Sequence, residues 1–293
     1  MKYQGLYTAI ITPFKNNEVD YDALRSLVEA QIAAGVDGIV PVGTTGESPT
    51  LSHSEHMEVI RRTIEYAAGR CQVIAGTGSN STVEAIEMTK EAAAMGADGT
   101  LQVCPYYNKP SQEGLYQHFK AIAESTDLPV LLYSIPGRSV IEIAVETVVR
   151  LAADCPTIVA IKEAGGSVER VNQLVQALPE NFSVLSGDDG LTVPFISCGA
   201  VGLVSVTSNI APAEMKELVN AALSGDGKRA LALQKKYYPL MKGLMSLDTN
   251  PVPIKAAHAL RGDISWEIRM PLTPLAEEKH DKLAALLRQF NLM

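Results

Sequence analysis

The sequence predicts an α/β protein: a (β/α)8 barrel with a C-terminal helical appendage. Three observations predict it. Eight short runs dominated by Val, Ile and Leu fall at 7–11, 38–42, 72–75, 99–103, 129–133, 158–162, 183–185 and 202–206, the composition of strands buried on both faces. Amphipathic segments of helical period separate them, so each strand is followed by a crossover and the sheet is parallel. No Gly-x-Gly-x-x-Gly follows the first run, which disfavours a doubly wound dinucleotide-binding sheet.

The elements carry their own boundary signals. Asp20 is placed to cap a helix over 21–34, because its side chain can accept an otherwise unpaired N–H. Ser52-His53-Ser54-Glu55 and Ser81-Thr82-Val83-Glu84 read as capping boxes opening the next two helices. Gly35, Gly69 and Gly96 stand where these helices end. Beyond Val206 the pattern is helical at 211–223, 228–244, 252–260 and 276–290, punctuated by Pro251, Pro253, Pro271 and Pro274. A barrel needs only one closing helix. The surplus implies a catalytic barrel at 1–224 and a helical domain at 225–293.

Of the 293 residues, 46% are hydrophobic, enough for a substantial core. The net charge of −8 and the absence of a basic run argue against nucleic acid or an anionic membrane as partner. The N-terminus lacks an apolar secretory segment, and no stretch is long enough to span a bilayer. Cys71, Cys104, Cys155 and Cys198 are scattered without a Cys-x-x-Cys, so neither a disulfide framework nor a zinc site is expected. A reduced cytoplasm fits.

Lys162 closes the sixth run. Burying an ammonium costs several kcal/mol unless it is paired or deprotonated, and a neutral amine is a nucleophile for carbonyl carbon. The competing reading is a structural lysine that snorkels outward or pairs with Glu163. Polar and glycine-rich clusters follow the other strands too: Gly43-Thr44-Thr45-Gly46-Glu47-Ser48, Gly76-Thr77-Gly78-Ser79-Asn80, Pro105-Tyr106-Tyr107-Asn108, Tyr133-Ser134-Ile135-Pro136-Gly137-Arg138, Gly187-Asp188-Asp189 and Ser205-Val206-Thr207-Ser208-Asn209. Strand C-termini converge on one face of such a barrel, where active sites are built.

Thr44, Thr45 and Gly46 offer hydroxyls and N–H groups for a small carboxylate, or simply a connecting turn. Tyr133, one unit before Lys162, can face it and move protons, or be a buried tyrosine with a satisfied hydroxyl. Arg138 can grip a carboxylate bidentately, or be solvated. His53 and His56 share a helix face but lack a third metal ligand. Asn80 and Glu84 also read as capping residues, and Asp188-Asp189 is a weak match to a metal-carboxylate pair without a supporting His or Glu cluster. A lysine, a phenol, threonines and an arginine around one mouth suggest a class I aldolase, in which an iminium replaces a metal as electron sink. No cofactor is then needed.

At Gly43-Thr44-Thr45-Gly46-Glu47, at Tyr133 with Pro136-Gly137-Arg138, and at Ile161-Lys162-Glu163-Ala164 the sequence resembles the pyruvate-dependent N-acetylneuraminate lyase/dihydrodipicolinate synthase superfamily. The resemblance extends from Gly5 through Asn250-Pro251-Val252-Pro253-Ile254-Lys255 to Met270-Pro271-Leu272-Thr273-Pro274. It implies that Lys162 forms a Schiff base with pyruvate and that Tyr133 is the general acid/base. It implies that Thr44 links Tyr133 to a Tyr107 donated by a neighbouring subunit. Thr45 and the main chain at Val204 would hold pyruvate, and Arg138 the carboxylate of L-aspartate 4-semialdehyde. Arg138 and the first threonine of the glycine-flanked pair, Thr44, where sialic-acid lyases carry Ser, favour this synthase branch. Ser134, Ser139 and Gly165 depart from the usual Asn, Thr and Thr, and bear on the second-substrate pocket.

The resemblance also implies feedback inhibition by L-lysine at a dimer interface, on Ser48, Pro49, His53, His56, Asn80, Glu84 and Tyr106, in a homotetramer built as a dimer of dimers. Pro49 stands where Ala is common. Tyr106 and Tyr107 would set that inhibitor beside the proton relay. The alternatives are another pyruvate aldolase, acting on sialic acid or 2-keto-3-deoxy sugar acids, and a barrel that binds lysine or a keto acid without turnover.

Overall fold

The computed structural model describes residues 3–293. Among them, eight parallel strands close into a barrel in sequence order: Gly5–Ala9, Gly38–Val40, Gln72–Gly76, Gly99–Val103, Val130–Ser134, Ile158–Glu163, Ser183–Ser186 and Gly202–Ser205. The first strand pairs with both the second and the eighth, which shuts the ring. Every predicted run is a strand, but three end early. After Ala9 the Ile11 N–H goes to the Asn209 side chain. Val42 turns into the left-handed region, φ 55°. The Val206 N–H goes to the Asp189 carboxylate. In each case a loop feature captures the backbone before the apolar run is exhausted.

Asp20 accepts from the Ala23 N–H, and the Ser52/Glu55 box is complete. The second box is only half formed. Ser81 accepts from the Glu84 N–H, but the Glu84 carboxylate takes the Ser79 hydroxyl instead. Gly35, Gly69 and Gly96 follow their helices with φ of 76°, 71° and 85°, the conformation for which glycine is favoured. An unpredicted antiparallel hairpin pairs Phe14–Lys15 with Glu18–Val19 across Asn16 and Asn17, both at positive φ. Two asparagines of that kind are a legible hairpin signal.

Helix Pro212–Leu223 closes the barrel, and Gly227–Ser246, Val252–Arg261 and His280–Gln289 follow. A single apolar cluster joins Leu6 and Leu24 to Leu240, Ile254 and Leu287, so these last helices share a core with the barrel wall. A separate cluster fills the barrel axis, including Tyr7, Leu131, Tyr133, Ala160, Leu185 and Val204. The period of two along the sixth strand puts Ala160 and Lys162 inside and Ile161 and Glu163 outside.

Candidate active site

Lys162 lies at the C-terminal mouth of the barrel and is only 6% exposed. It is in register with Tyr133 on one side and Leu185 on the other. Its Nζ sits 4.2 Å from the centroid of the Tyr133 ring. Burial lowers the ammonium to about 8 from its ordinary 10.5, with Asp189 opposing that shift and Arg138 reinforcing it. Glu163 is not its partner. That carboxylate faces the outside of the barrel, where it accepts from Arg170 Nε at 2.8 Å and from the Gly165 N–H at 2.7 Å. The amine is therefore buried, held without a direct salt bridge, and proton-poor enough to attack a carbonyl.

Tyr133 is pushed the other way, to about 12, by burial; Arg138 and the hydrogen bond with Thr44 oppose this. The phenol thus holds its proton and can donate it. Thr44 and Tyr133 share the wall of a cavity of about 230 Å³ with Ile135 and Arg138. The turn that presents Thr44 is self-satisfied: Gly46 N–H bonds Gly43 O, and Glu47 N–H bonds Thr44 O, both at 3.1 Å. Gly46 therefore does not offer its N–H to a ligand, contrary to the sequence reading. Thr45 is buried, and its Oγ1 accepts from Asn250 Nδ2 at 3.0 Å.

Asn250 also fixes Arg138, whose Nη2 donates to the Asn250 carbonyl at 3.0 Å. Five residues on, Lys255 forms a buried pair with Glu47 at 2.5 Å. The C-terminal segment thus braces both the threonine turn and the arginine. Sequence reasoning gave neither Asn250 nor Lys255 a role. The available signals were a buried-type lysine in an apolar helix and a Pro-flanked asparagine.

Val204 is buried on the eighth strand, opposite Tyr7. Tyr107 is not brought to Thr44 within the chain. It is 89% exposed at φ 73°. Ser48, Pro49 and Tyr106 line the same cavity as Thr44 and Tyr133. Asn80 donates to the Tyr106 carbonyl at 3.1 Å, and Glu84 accepts from Ser79. His56 is buried with Nε2 2.7 Å from the Gly76 carbonyl, while His53 turns to Glu91 at 3.0 Å.

Of the three departures, Ser139 lines the cavity shared by Thr44, Tyr133 and Arg138. Ser134 is fully buried with an unpartnered hydroxyl. Tyr133 faces the barrel axis, so strand alternation directs Ser134 away from it. The Ser139 hydroxyl is bonded to the carbonyls of Ile135 and Ile141 at 2.9 and 2.8 Å. A Cβ on Gly165 would stand 2.7 Å from Glu163 Oε1. Asp188 and Asp189 bind backbone: Asp188 accepts from the Gly190 N–H, and Asp189 from the N–H groups of Val206 and Thr207.

The dihydrodipicolinate synthetase family model matches residues 2–290. A 4-hydroxy-tetrahydrodipicolinate synthase of Syntrophus aciditrophicus is 52% identical over 291 residues, 99% of each chain. The chloride-inhibited dihydrodipicolinate synthase of Acinetobacter baumannii, solved with pyruvate, superposes with a TM-score of 0.96 at 47% identity, covering 99% of both chains. The enzyme of Cyanidioschyzon merolae, solved with lysine bound, gives 0.95 at 42% identity, again over 99% of both. With a barrel of this topology, a buried lysine at its mouth and matches along nearly its whole length, the chain belongs to the dihydrodipicolinate synthetase family.

Proposed function

We propose that this chain condenses pyruvate with L-aspartate 4-semialdehyde to 4-hydroxy-tetrahydrodipicolinate through an imine on Lys162. The observation that carries the reading is the buried amine, lowered to about 8, against the ring of Tyr133. Neutral Lys162 adds to the pyruvate C2 carbonyl. Loss of water from the carbinolamine gives an iminium, and loss of a C3 proton gives the enamine. The enamine carbon attacks the aldehyde, whose oxygen takes a proton. The substrate's own amino group then attacks C2, closes the ring and releases Lys162. Tyr133 supplies and removes these protons, with Thr44 as its relay. Thr45 and the Val204 main chain seat the pyruvate, and Arg138, anchored on Asn250, receives the semialdehyde carboxylate.

Tyr107 completes the relay from a second copy. Its exposure and left-handed backbone suit a side chain delivered outward. The assembly is a homotetramer of two such dimers, with barrel 1–224 carrying the chemistry and helices 225–293 bracing it. L-lysine inhibits at Ser48, Pro49, His53, His56, Asn80, Glu84 and Tyr106, of which Ser48, Pro49 and Tyr106 line the cavity that Thr44 and Tyr133 share. The enzyme works in the cytoplasm without a cofactor.

The test is intact-mass analysis after pyruvate and borohydride, with and without L-lysine, alongside a coupled assay with the semialdehyde and with sugar-acid substrates. One pyruvate adduct on Lys162 and turnover of the semialdehyde are expected. Cleavage of a sugar acid with the semialdehyde ignored would move the chain to another pyruvate aldolase. Binding of pyruvate or lysine with no adduct would leave a non-catalytic barrel.

A further inference from the structure

The loop after the seventh strand packs directly against the reactive lysine. A Cβ on Gly187 would lie 3.0 Å from Lys162 Cε and 2.7 Å from Ala164 Cβ. Two residues on, Asp189 is buried at 5% exposure. Its carboxylate accepts from the Ser205 hydroxyl and, at 3.1 Å each, from the N–H groups of Val206 and Thr207. The main-chain ladder between the seventh and eighth strands pairs only Leu185 with Gly202 and Ser186 with Leu203. Above that level Asp189 makes the connection. It spans the gap just where Val204 and the loop beyond it border the mouth.

Burial raises the Asp189 carboxyl above its ordinary value, and these three contacts, which all deliver hydrogen to the carboxylate, oppose that rise in favour of the ionised form. The charged and titratable groups around the Lys162 amine are Asp189, Arg138 and the Tyr133 phenol. Glu163 is on the other side of the strand, paired with Arg170. Burial and Arg138 both drive the proton off Lys162, and Asp189 opposes them.

We propose that Asp189 is a positioning residue for the condensation: one carboxylate that ties the 204–207 segment to the barrel mouth and supplies the negative charge balancing Arg138 around Lys162. The proposal rests on Lys162 being the imine-forming amine. An amine too acidic would be a weak base and a poorer nucleophile, and one too basic would stay protonated. Asp189 holds it between these limits.

The experiment uses the full-length protein and reads the pH dependence of borohydride trapping with pyruvate, together with kcat and KM. In Asp189→Asn the acid limb of trapping moves to lower pH by about one unit, because an opposite charge beside an ammonium is removed, and KM for pyruvate rises. Asp189→Glu keeps the charge and leaves the limb in place while kcat falls. A limb that stays put or moves upward in Asp189→Asn overturns the proposal. If Asp189→Asn does not fold, Ser205→Ala carries the test. It loosens the segment without removing the charge, so KM for pyruvate rises several-fold at an unchanged limb, and an unchanged KM overturns the positioning role. Failure of the wild-type protein to trap pyruvate at all would instead remove the Lys162 reading itself.

Discussion

Lys255→Met tests whether the C-terminal helices hold the active-site turn. Lys255 and Glu47 are 4% and 1% exposed at their side chains, with Nζ and Oε1 2.5 Å apart. Among the described residues the other Glu47 oxygen accepts the Arg269 N–H, at 3.0 Å. Methionine matches the lysine stem but lacks the ammonium, which also sits 4.2 Å from the Phe14 ring centroid. What is lost is the charge, and Glu47 is left buried and under-satisfied. Removing one partner of a buried pair costs about 3–5 kcal/mol. For a chain of this length each kcal/mol moves the melting temperature by about 2 °C, so a fall of roughly 6–10 °C is expected. Glu47 directly follows the Thr44-Thr45-Gly46 turn, so KM for pyruvate should rise as well. Glu47→Gln combined with Lys255→Met removes both charges and should recover most of the lost stability. Thermal unfolding of the two single variants and the double variant measures this. A single-variant loss below about 1 kcal/mol, or a double variant as unstable as the two losses summed, would refute the reasoning.

The remaining expectations concern chemistry and sterics. Only the neutral amine attacks pyruvate, and Lys162 has been lowered to about 8. Trapping should therefore climb roughly tenfold per unit below that pH and level off above it, and a profile flat from neutral pH down to pH 6 contradicts this. Tyr133→Phe should still form the borohydride-trapped adduct while turnover falls by about 10²–10⁴; single-turnover kinetics separate the two steps, and loss of both together would assign Tyr133 another role. Arg138→Ala should raise KM for the semialdehyde much more than for pyruvate, checked by varying each substrate at saturating levels of the other. Gly165→Ala should cost about 1–3 kcal/mol by overpacking, because its Cβ would meet Glu163 Oε1 at 2.7 Å and Glu142 Oε1 at 3.1 Å; an unchanged denaturation midpoint would show that the turn yields freely.

The barrel was legible because its signals are local. Eight β-branched runs each need burial on both faces, and the Asp20 cap and the glycines at 35, 69 and 96 mark helix ends within a few residues. Lys162 stood out for the same kind of reason, a charge closing an apolar strand. Its apparent neighbour, Glu163, shows where adjacency misleads. One step along a strand is a change of face, so Glu163 belongs to Arg170 outside the barrel. Asp189 looked like half a metal pair, yet its partners are at the end of the next strand and just beyond it, 16 to 18 residues later.

By itself the sequence determined the parallel barrel, the lysine and phenol at its mouth and the threonine turn beside them, because periodicity and strand-end chemistry act over a few residues. Only the tertiary structure decided how that turn is braced. Asn250 reaches Thr45 across 205 residues and Lys255 reaches Glu47 across 208. No local preference encodes such pairings. They exist because burial leaves each polar group needing a partner, and chain closure determines which one comes within reach.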